Sequence, residues 1–115
     1  MGVENNECVI ALTSDKAAIV SVKNWVKTLS EEKQSLFAFV PALTNGKETV
    51  FLAPDGSKKG WATANSIAEL RVEFIKLIES LEYFQWVEVG FGEFGQKVLH
   101  GNNSNCYSDA EYAGT

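Results

Sequence analysis

Apolar positions along the chain switch between two rhythms, and the switches mark the elements. Residues 7–12 form a short apolar run that reads as a first strand, central in its sheet because polar alternation is lacking. Thr13-Ser14-Asp15 then supplies side-chain oxygens for the free amides of a helix start. Over 16–29 the spacing turns helical, with Ala18, Ile19, Val22, Trp25, Val26 and Leu29 on one face and Lys16, Lys23 and Lys27 on a flank. The β-branched Val20 and Val22 also allow a strand over 17–22, but a stripe of about four turns favours the helix. Ser30-Glu31-Glu32 opens a further helical turn, since acids suit the positive end of a helix.

Strand rhythm returns over 36–43 and 49–53, and the Asn45-Gly46 pair between them marks a hairpin because both residues tolerate positive φ. Pro41 places its strand at an edge or a bulge. After a turn-rich loop over 54–61, Ser66-Ile67-Ala68-Glu69 matches a capping box. The helix behind it sets Ile67, Leu70, Phe74, Leu77, Ile78 and Leu81 towards a core, with Glu69, Glu73, Lys76 and Ser80 opposite. Residues 84–90 alternate as a strand, with Val87 and Val89 on one side and Trp86 and Glu88 on the other. A glycine turn over 90–95 returns the chain into a last strand over 96–100. Residues 1–6 and 102–115 lack periodicity and are expected to be loose or arm-like. The order β-α-β-β-α-β-β implies a single α+β domain over 1–115, a mostly antiparallel sheet with two helices on one face.

Composition narrows the function. The 115 residues fit one core. Net charge is −5 and Arg71 is the sole arginine, which argues against nucleic acid and anionic membrane as partners. No apolar run reaches the length of a membrane span, and no basic, apolar leader opens the chain, so a cytoplasmic location is expected. Two cysteines, Cys8 in an apolar run and Cys106 in a polar tail, do not make a disulfide framework.

Candidate chemistry is sparse. Gly90-Phe91-Gly92-Glu93-Phe94-Gly95 is literally G-x-G-x-x-G, but the residues that follow show no helical period, so a dinucleotide-binding βαβ unit is not expected. The string resembles the glycine-rich hairpin of protein kinases over about ten residues, including the Phe before the last Gly. It departs where Val98 falls one position late and where no catalytic-loop motif follows; the resemblance implies a glycine hairpin and no more. Lys58, Lys59 and free amides before a helix could attract an anion, with Trp61 or Phe91 as a stacking face and Gly90 and Gly92 supplying amides. Trp61 is expected to plug the helix entry. The lone His100 has no partners at zinc-ligand spacing, and no metal or cofactor is expected.

The aromatic load points elsewhere. Large side chains fall on both faces of the strand over 36–43, and helices cover one face only. Trp86, Glu88, Phe37 and Phe39 are therefore candidate contact residues for a protein partner or a homodimer. The expected function is a non-enzymatic interaction or inhibitor-type accessory domain acting through the sheet. The alternative is a binding module for a phosphorylated or nucleotide-like molecule, built from the 56–61 loop and the 90–95 hairpin.

Overall fold

A computed structural model describes residues 5–58 and 60–102. The chain runs β1 (Asn5–Thr13), α1 (Lys16–Lys27), α2 (Glu31–Gln34), β2 (Phe37–Pro41), β3 (Glu48–Leu52), α3 (Ala62–Leu81), β4 (Gln85–Gly92) and β5 (Gly95–Gly101). The five strands form one sheet in the order β2-β3-β1-β4-β5, with every neighbouring pair antiparallel. This is the α+β architecture expected from the sequence: β1 is central, β2 with Pro41 is an edge, and the helical turn after α1 is the short α2.

Local chemistry explains the boundaries. Asp15 caps α1, its side chain accepting from the Ala18 amide, and Ser30 caps α2 through the Lys33 amide. Between β2 and β3, Asn45 and Gly46 both adopt φ near +60°, as the hairpin signal required (φ 63° and 60°). Three expectations need correction. The strand expected over 36–43 starts at Phe37 and stops at Pro41, whose ring removes an amide donor, and Leu43 lies in the turn, fully exposed. The capping-box reading places the second helix start too late, because α3 begins at Ala62 and Ser66 lies inside it. The helix-forming run Ala62-Thr63-Ala64 extends the helix backwards until the Trp61 carbonyl accepts from the Asn65 amide. The glycine turn is also shorter than expected: Gly90 and Gly92 belong to β4, and Glu93-Phe94 alone connect Gly92 to its partner Gly95.

The core lies between the sheet and the helices. Val9, Ala11, Val50, Leu52 and Trp86 of the sheet meet Ala18, Ile19, Val22 and Val26 of α1 and Ile67, Leu70, Phe74 and Ile78 of α3. Phe74 is fully buried, stacked on Trp25 at 6.0 Å and edge-on to Phe37 at 5.3 Å, so one aromatic cluster ties both long helices to β2. Such ring geometries add about 0.5–1.5 kcal/mol per pair beyond area burial. Val72 is half exposed on the flank of α3.

The ends are more ordered than the sequence suggested. Asn5 and Asn6 pair with Gly92 and Phe91 within β1. Asn102, assigned above to a loose tail, donates from its side chain to the Phe84 carbonyl and accepts from the Trp86 amide at 3.1 Å, fastening the end of β5 to the start of β4. The expectations for 1–4, 103–115 and Cys106 lie outside the described residues. Among the described residues, no helix is long and apolar enough to cross a membrane.

Candidate functional site

Pairing register and side-chain alternation divide the sheet into two faces. Glu7, Val9, Ala11 and Thr13 of β1, Val50 and Leu52 of β3, and Trp86 and Glu88 of β4 turn towards the helices. The reverse face carries two continuous rows. One runs Val98–Val89–Cys8 over β5, β4 and β1, the next Val87–Ile10–Phe51–Ala38 over β4, β1, β3 and β2, so that the two together reach from β5 to β2. Leu12 and Val40 extend it below, and Phe91 above. Its perimeter holds uncharged polar groups: Asn6 and Gln96 at one end, Gln85 and Thr49 at the other. Helices do not cover this side: Ile10 is 38% exposed, Phe91 45%, Val40 55% and Val98 67%, while Cys8 between its neighbours is 4% exposed.

Charge on this sheet is segregated without exception among the described residues. Glu7, Glu48, Glu88 and Lys97 all fall on the helix side by register, and no strand position of the reverse face is charged. A strand with one face on the core and the other bathed in water ordinarily alternates apolar positions inside with polar ones outside. Here the two apolar rows together run the full width of the sheet, with nothing ionised among the described residues to solubilise them.

The residues expected at a contact surface sit on the other side. Phe37 packs into the aromatic cluster and Phe39 lies beneath Lys23, whose ammonium is 5.3 Å from the ring centroid. Trp86 is buried in the core and Glu88 beside Arg71 of α3. A surface formed by the sheet therefore consists of their neighbours of opposite parity, Ala38, Val40, Val87 and Val89.

Glu88 instead anchors a polar cluster. Arg71 projects from α3 and places Nη2 2.8 Å from Glu7 Oε2 and Nε 3.4 Å from Glu88 Oε2. His100 Nδ1 lies 2.7 Å from Glu88 Oε1, its ring largely exposed on β5. The bulge between Glu88 and Val89 is what brings His100 opposite Glu88. A carboxylate orienting an imidazole is half of a catalytic arrangement, yet no nucleophile among the described residues is shown beside it. Cys8 is next to Glu7 in the chain but points to the reverse face. Burial pushes its thiol pKa up; Arg71 lowers it and Glu88 raises it further, so the net effect opposes thiolate formation.

The ligand-binding candidates are not assembled. Gly90 has no room beside it: a Cβ there would meet Leu99 Cδ1 at 3.3 Å. Phe91 is on the reverse face of the sheet. Trp61 does not plug the core; it is 53% exposed at the start of α3, because the helix begins one turn earlier than its capping signal. Lys58 sits in the preceding loop, and Lys59 lies outside the described residues. The loop after β3 and the glycine hairpin leave the same end of the sheet, but β1 separates their strands. A depression of about 240 Å³ lies instead at the start of α1, lined by Asp15, Lys16, Lys23 and Glu48 among others. Its lysine at position 23 is bound to Glu48 at 3.2 Å, and Asp15 occupies the helix terminus.

Sequence reasoning missed the role of Arg71 and the charge segregation. The first had a signal, a lone arginine flanking the core stripe of a helix. The second needed the strand register, which one sequence does not supply. Comparison with protein-family models, curated proteins and solved structures gives no match.

Proposed function

We propose that this chain is a non-enzymatic interaction domain, of accessory or inhibitor type, that works through the reverse face of its sheet. The observation that carries this reading is the uncharged, apolar face spanning all five strands. Contiguous apolar patches of this kind are rare on free-standing surfaces and mark contact sites. Its arrangement, an apolar centre with a polar perimeter, is also the anatomy of a protein interface. The helix side supports the reading from the other direction: its charges are spent on Arg71, Lys23 and their carboxylate partners, which hold the fold together.

The test is site-specific photo-cross-linking in cells that express the protein. A benzophenone side chain replaces Phe91 on the reverse face or Val72 on the exposed flank of α3. Discrete protein adducts should form from position 91 and not from 72. Adducts from 72 alone, or none from 91, would refute the reading.

A further inference from the structure

Resting on that reading, we infer that the occupant of the reverse face is a second copy of this chain, packed sheet on sheet about a twofold axis.

Copies of a chain of net charge −5 repel one another, and least where the touching surfaces are free of charge. This chain meets that condition on the reverse face of its sheet, while Glu7, Glu48 and Glu88 are turned away. A partner selected by charge would find nothing here to read.

A twofold interface requires one patch to match itself. The perimeter groups Asn6, Gln85 and Gln96 are amides, each both donor and acceptor, so each can pair with an amide of the other copy. Aspartate or lysine at those positions would meet its own kind. The central strand β1 carries Ile10 in the middle of the longest row, with Phe51 and Val87 on either side. The axis is placed there, and Val98 and Val40 mark the two ends.

Five strands at about 4.8 Å spacing and roughly six residues at about 3.3 Å make a face near 24 by 20 Å. Two such faces remove about 1,000–1,200 Å² from water, at the lower edge of specific interfaces, so the association is expected to be reversible and concentration-dependent. Sheets packed face to face sit about 10 Å apart at an angle near −30°, a spacing that side chains the size of Ile, Val and Phe fill.

The experiment is sedimentation equilibrium of the full chain across micromolar to millimolar concentrations. The mass should rise from 12.6 kDa to twice that value. Ile10→Lys and Ile10→Glu should each weaken association about 100-fold, since an unpaired charge is then buried at the axis. An equimolar mixture of the two should regain it, because opposite charges then meet. Val98→Lys, at a more exposed position whose far-ultraviolet circular dichroism should stay native, should weaken it less, and Val72→Lys on α3 should not. A monomer at millimolar concentration overturns the dimer. So does a dimer indifferent to charge at Ile10. If a monomer still forms adducts to a different protein from position 91, the twofold dimer fails while the contact reading stands; if neither association nor adducts occur, both fail.

Discussion

Replacing Arg71 with Met tests whether the buried cluster holds the fold together. The Arg71 side chain is 12% exposed and that of Glu88 9%, so both charges have left most of their water. At 3.4 Å and an effective dielectric constant near 20, their gross attraction is about 5 kcal/mol. Much of that offsets desolvation, and the net value of the pair is small. Removing one partner is different: the Glu88 carboxylate stays buried with only the solvent-facing His100 beside it. Breaking a buried pair in this way costs about 3–5 kcal/mol, and relief from His100 sets the expectation at the lower end, about 3 kcal/mol. For a domain of this size that is a fall of roughly 12 °C in Tm. Urea denaturation followed by circular dichroism measures the loss directly. Adding Glu88→Gln to Arg71→Met removes the orphaned charge and should return at least half of the stability, so the coupling energy in a double-mutant cycle should be at least about 1.5 kcal/mol plus whatever Glu88→Gln costs alone. A loss below about 1 kcal/mol for Arg71→Met, or strict additivity of the two substitutions, would show that water reaches Glu88 and would refute the argument.

Two further outcomes follow from the same structure. Phe74→Ala should cost about 3–5 kcal/mol in chemical denaturation, because a fully buried ring that contacts both Trp25 and Phe37 leaves a cavity at the junction of α1, α3 and β2; a cost under about 2 kcal/mol would show that the cluster collapses to fill it. In a Cys106→Ser background, Cys8 should react with a disulfide reagent at least about tenfold more slowly than free cysteine at pH 8, and the rate should climb as the pH rises past the ordinary thiol range, since burial holds the reactive thiolate back; a rate equal to that of free cysteine would contradict it.

What the sequence determined by itself was set by local periodicity and turn chemistry. The stripes over 16–29 and 66–81, the Asn45-Gly46 hairpin and the edge position of Pro41 are decided by residues close together in the chain, and each is found in the structure. Parity within β4 was equally legible, separating Val87 and Val89 from Trp86 and Glu88. Which of those two sets faces water was not, because alternation gives two faces and names neither as covered. That was settled when α1 and α3 packed on the Val9, Val50 and Trp86 side. Long-range register decided the rest. It joined Glu7, Glu88 and His100 around Arg71, residues far apart in the chain, and it lined up Val98, Val89, Cys8, Ile10 and Phe51 across four strands. A one-residue slip in any pairing would have scattered both groups, since each slip turns a strand's side chains to the opposite face.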